Sequence, residues 1–94
     1  MKMSDFELPI IVGKSEKQVA YAKSVREKYI TAPYFEDMYH ELVRAENGGI
    51  AKYMEKRGVT EDVARKKYIV GGAKIAHVLL NETDASKILD TFKR

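Results

Sequence analysis

Apolar and polar residues alternate at Phe6, Leu8, Ile10 and Val12, the period-two signature of an extended segment. This predicts an arm over residues 1–14, laid across a helical core or paired as a short strand. No second strand is apparent. From Ser15 onward the apolar spacing becomes helical. Ser15 with Gln18 three residues later forms a capping box, which predicts a first helix from Glu16 to about Ile30. Its inward face carries Val19, Ala22, Val25, Arg26 and Tyr29. Thr31-Ala32-Pro33 ends it, because the residue before proline avoids helical angles. A second helix starts close to Pro33, with Glu36 and Asp37 at the positive end of its dipole. Phe35, Met38, Tyr39, Leu42 and Val43 make its buried stripe.

Asn47-Gly48-Gly49 tolerates left-handed angles and predicts a turn near Glu46. A short third helix, Ile50 to Arg57, turns Ile50, Tyr53 and Met54 inward and stops at Gly58. Thr60 is the expected N-cap of a fourth helix that begins at Glu61-Asp62. Its apolar positions, Val63, Ala64, Tyr68, Ile75, Ala76 and Leu79, keep helical spacing only if the helix runs through Gly71-Gly72. Each interior glycine costs about 1 kcal/mol relative to alanine. Either the pair breaks the helix, or the missing side chains admit a neighbouring helix; the continuous spacing favours the second. Asn81-Glu82-Thr83-Asp84 supplies a turn and an N-cap for a last helix, about Ala85 to Phe92. The expected fold is a compact all-α bundle of four to five short helices with an extended N-terminal arm. Residues 1–94 form one helical domain, with 1–14 as arm and 15–94 as core.

Composition narrows the chemistry. Ninety-four residues, 45% apolar and 33% charged, suit one folded domain with a single core. The absence of Cys excludes disulfides, thiol nucleophiles and thiolate metal sites. No run approaches the roughly 20 apolar residues of a membrane span, and Met1-Lys2-Met3-Ser4-Asp5 lacks a signal peptide's apolar centre. No membrane partner is expected, and the expected location is the cytoplasm of whichever cell makes the protein. A net charge of +3 is compatible with nucleic acid but is a mild excess.

The stretch Leu8-Pro9-Ile10-Ile11-Val12-Gly13-Lys14-Ser15-Glu16-Lys17-Gln18-Val19-Ala20-Tyr21-Ala22 resembles a recurrent, functionally uncharacterised segment of bacterial and phage-borne proteins. That segment reads roughly Leu-Pro-x-Leu-x-Gly-Ser-x-Lys-Gln-Ile-x-Trp-Ala-x-x-Ile-Arg. The matching residues are Leu8, Pro9, Gly13, Ser15, Lys17, Gln18, Val19, Ala22, Val25 and Arg26. Lys14 is inserted between Gly13 and Ser15, and Tyr21 stands where the family tends to have Trp. The family often closes on Asp/Ala-x-x-Trp-Ile-Asp-x-Arg, which Asp84 to Arg94 follows loosely without the Trp. The resemblance implies a phage or mobile-element origin and names no activity.

Gly13-Lys14-Ser15 before a helix is similar to the end of a phosphate-binding loop, yet Leu8 stands where that loop needs its first glycine. A capped turn explains it, and the remaining ligand reading is one phosphate of a partner held by Lys14 or Lys17. His40 and His77 lie on different helices without a second ligand at i+3 or i+4. His40 shares a polar face with Glu36, Glu41 and Arg44. The pairs Glu36-Asp37 and Glu61-Asp62 are explained by helix dipoles. These residues predict no catalysis, cofactor or metal.

Two binding classes remain. Ile50 to Tyr68 has the helix, Gly-Val-Thr turn and basic helix of a helix-turn-helix, which would turn Lys52, Lys56, Arg57, Arg65, Lys66 and Lys67 toward nucleic acid. The interval from Ala51 to Gly58 is long for that motif, and Glu61 and Asp62 would repel the phosphate backbone. The other class is a protein-binding module of the kind phages use to inhibit a host or defence-complex protein or nucleoprotein. Six tyrosines without a Trp suit surfaces that are apolar at one end and wet at the other. Tyr34 lies one position off its helix's buried stripe and Tyr21 between faces, so these two are the expected contacts, with Lys14, Lys17 and Arg57. Basic residues gathered on one face would favour nucleic acid. Acids among them would favour protein.

Overall fold

Phe35, Ile30 and Leu79 have no solvent exposure and mark the centre of the main core. The computed structural model describes residues 1–92. Its helices are α1 (Glu16–Ile30), α2 (Phe35–Arg44), α3 (Ile50–Arg57), α4 (Glu61–Tyr68), α5 (Gly71–Asn81) and α6 (Ala85–Thr91). A single 3-10 turn, Met3–Asp5, opens the arm, and a wide turn, Ala45–Gly49, joins α2 to α3. Among the described residues there is no strand; the class is all-α. The principal extents are 44 × 27 × 26 Å, so the bundle is elongated.

Side-chain chemistry sets most boundaries. The Gln18 N–H donates to Ser15 Oγ at 3.1 Å, which starts α1 at Glu16. The Gln18 side chain accepts from the Lys14 N–H at 2.8 Å, one residue upstream of a standard capping box. Gly58, with φ of +64°, ends α3 in the left-handed region. Asp84 accepts from the Ser86 N–H at 2.9 Å and caps α6.

The expected continuous fourth helix is two helices. Ile69 and Val70 are non-helical and Gly71 has φ of +58°, so the chain breaks there and gains one element over the expected count. The break buries Ile69 and leaves Val70 exposed. Gly72 nevertheless provides the close approach that the alternative required: an added Cβ would stand 3.0 Å from Met38 Cγ and 2.8 Å from Glu41 Oε2. The first turn of α5 can therefore press against α2. Two positions assigned inward on α4, Val63 and Tyr68, are each 41% exposed; Ala64 is the buried residue of that short helix.

The arm also departs from its expected phase. Phe6 and Leu8 pack against the core, but Ile10 is 82% exposed, Val12 faces solvent and Ile11 is buried. The phase slips at Pro9, whose carbonyl accepts from Arg26 Nη1 at 2.7 Å. Val12 then bridges the α5–α6 connection: its N–H donates to the Thr83 carbonyl and its carbonyl accepts from the Ala85 N–H, both at 2.8 Å. This turns Ile11 onto Ala22, Ala85 and Ile88, a second small core beside the main one built by α2 and α5. Phe92 packs against both.

Candidate functional site

Tyr21, Val25 and Tyr29 are spaced at i, i+4 and i+8 on α1 and therefore share one face. Together with Leu89 and Phe92 from the last helical segment they line a groove of about 640 Å³ between α1 and α6. Tyr29 stacks on Phe92, with centroids 4.2 Å apart and an interplanar angle of 19°. Tyr34 meets the edge of Tyr29 at 6.2 Å. Tyr34, 49% exposed, Tyr29 and Phe92 thus form an aromatic cluster at the groove, and Tyr21, 63% exposed, lines the groove about two turns away from Tyr29 on α1. Lys28, whose Nζ lies 5.8 Å from the Tyr29 centroid, and Asp90 are its opposite charges. Ser24, Ser86 and Gln18 add polar rim groups.

Of the two tyrosines singled out by sequence, Tyr21 lines the groove, and Tyr34 lies outside its lining against the edge of Tyr29. Tyr29 and Phe92, which the sequence places on the inner face of α1 and at the end of α6, also line it. The i+8 spacing from Tyr21, through Val25 at i+4, puts Tyr29 on the same helix face; Phe92 carries no such local signal, because its position depends on α6 folding back on α1.

The basic residues fall in separate places. Lys14 is exposed beside Gly13 and Ser15 and shares a shallow depression with Asp84. The Asp84 carboxyl sits below its ordinary range because the Ser86 hydroxyl and N–H donate to it. A carboxylate in that depression opposes the phosphate reading of Lys14. Lys17 is exposed and lies outside the depression. Lys52, Lys56 and Arg57 border a recess of about 250 Å³ at the α3–α4 hairpin. Arg65 is held by Glu46 through contacts of 2.8 to 3.0 Å and lies 4.0 Å from Glu61. Arg65 and Lys66 both line a depression between α4 and α5 that includes Lys74 and His77, away from the recess of Lys52, Lys56 and Arg57. Lys67 is exposed and lines neither. Glu61 and Asp62 occupy the exposed first turn of α4. The helix-turn-helix set is therefore split, with Glu46 the acid that interrupts it.

Arg26 is 9% exposed and donates to the Pro9 carbonyl, while its Nε has no partner. Burial pulls its guanidinium below the ordinary range. It pins the arm and does not line the groove. His40 is exposed and His77 half-buried. Among the described residues no helix is long and apolar enough to cross a membrane. No family model, curated protein or solved structure matches this chain.

Proposed function

We propose that this protein is a non-catalytic binding module that docks on a host or defence-complex protein, or the protein part of a nucleoprotein, and inhibits it by covering the surface it occupies. The observation that supports this reading is the α1–α6 groove lined by Tyr21, Tyr29 and Phe92, with Tyr34 against the edge of Tyr29. Tyrosines carry large contact area at low entropic cost and dominate protein interfaces. Among the described residues the groove carries one Lys and one Asp, a balance that suits an amphipathic protein segment better than a polyanion. The resemblance of the N-terminal segment supports a phage or mobile-element origin and a cytoplasmic site of action in a bacterial host. Duplex recognition by α4, the competing reading, has its Arg65 occupied by Glu46 and acids at its leading turn.

Affinity capture from nuclease-treated host lysate identifies the partner, and binding of that purified partner is then titrated. Tyr21→Ala should weaken it by about thirtyfold, as at an interface hot spot, with unchanged circular dichroism. Partner binding unaffected by Tyr21→Ala and Tyr34→Ala alike would refute the assignment.

A further inference from the structure

The α3–α4 hairpin holds a second aromatic feature, built differently from the groove. Gly49 has no side chain, and an added Cβ would stand 2.8 Å from Tyr68 Cε1 and Oη. Glycine thus lets the Tyr68 ring lie against the backbone at the start of α3, while the residue stays 41% exposed. The Tyr53 centroid is 5.8 Å away at 54°, and the Arg57 guanidinium lies 5.9 Å from the Tyr53 centroid. Lys52 and Lys56, one turn apart on α3, complete the border of the recess. Among the described residues none of these three cations has a carboxylate within 4.0 Å, in contrast to Arg65. Lys56 and Arg57 favour the negative end of the α3 dipole, which explains their presence in the last turn. It does not explain Lys52 or the exposed ring of Tyr68.

We propose that this recess binds single-stranded nucleic acid, with one base stacked on the exposed face of Tyr68 and neighbouring phosphates on Lys52, Lys56 and Arg57. Aromatic rings flanked by cations are how such strands are held without base-specific hydrogen bonds. A duplex does not fit this mode, because its base faces are already stacked within the helix and cannot stack on Tyr68. The site does not rest on the α1–α6 groove; the two share no lining residue.

Fluorescence anisotropy with labelled oligo(dT), oligo(U), a duplex of equal length and poly-glutamate tests it. Neutralising three phosphates gives a log–log salt slope of about −2, hence roughly twentyfold weaker binding between about 50 and 200 mM salt. Either single strand binding in this way supports the site. Tyr68→Leu should weaken binding at least about fivefold while Tyr68→Phe retains it. The doubly substituted Lys52→Ala, Lys56→Ala protein, altered only at exposed positions, should lower the slope to about −0.7. Duplex or poly-glutamate binding as tight as the single strands, no binding at low salt, or indifference of a folded double variant would overturn the proposal.

Discussion

Replacing Gly13 by Ala tests the packing that places the arm. An added Cβ would lie 2.9 Å from Ala85 Cβ, 3.1 Å from Val19 Cγ2 and 2.7 Å from Gln18 Oε1. Carbon atoms in contact prefer about 3.5 to 4.0 Å, so the chain must yield by roughly half an ångström or more. Ala85 cannot recede easily, being fully buried with its N–H bound to the Val12 carbonyl. Gln18 can swing away, but then releases the Lys14 N–H, at a cost of about 1 kcal/mol. Overpacking of this kind costs about 1 to 3 kcal/mol, and the stiffer unfolded chain returns about 0.4 to 1 kcal/mol. The expected net loss is about 2 kcal/mol, a fall in melting temperature of roughly 8 to 16 °C for a domain of this size. Urea titration followed by circular dichroism should show a lower midpoint and an unchanged slope. Adding Ala85→Gly removes the facing methyl, and a double-mutant cycle should recover about 1 kcal/mol of the Gly13→Ala penalty. A loss under about 0.5 kcal/mol with no coupling between the two sites would refute the described seating of the arm.

Ser15→Ala should destabilise by about 1 kcal/mol in the same titration, through loss of the oxygen that accepts from Gln18 N–H, and Ser15→Asp should retain most of the stability. Asp84 has a folded pKa below its ordinary value near 3.8, so its contribution is complete above that value and is lost as pH falls through the lower folded one. Acid titration of the melting temperature should therefore be shallower below about pH 4 in Asp84→Asn than in the parent protein.

Helix starts were the most legible part of the fold. Ser15, Thr60 and Asp84 cap their helices through local hydrogen bonds, and such bonds depend on neighbouring residues alone. Gly58 stops α3 for an equally local reason. Two of the misreadings, the phase of the arm and the continuity of α4 into α5, were decided by distant groups. Arg26 and Thr83 fix the arm's rotation, and α2 meets the backbone at Gly72. The same division applies to function. Exposure of Tyr21 and Tyr34 followed from helical phase, whereas the stacking of Phe92 on Tyr29, the ring that Tyr34 meets, required the packing of α6 on α1. Arg65 read as a basic side chain for DNA because Glu46, its partner, lies beyond α3 in sequence.

The bridge from Val12 to Thr83 and Ala85 joins segments from opposite ends of the described chain, while the α3–α4 hairpin and much of the α2–α5 packing close over shorter separations. Contacts of high sequence separation form late and, in a small satellite core, open early. During synthesis the α1–α6 groove therefore cannot exist until Ile88 and the residues after it have left the ribosome. In the folded protein a small core of this kind is expected to open and reclose at a lower free energy than the main core. A partner seated on Tyr21 and Phe92 binds the closed form alone, so it lowers the open population by mass action. Slowed hydrogen exchange at the Val12 and Ala85 amides, neither of which lines the groove, would then report its occupancy from a distance.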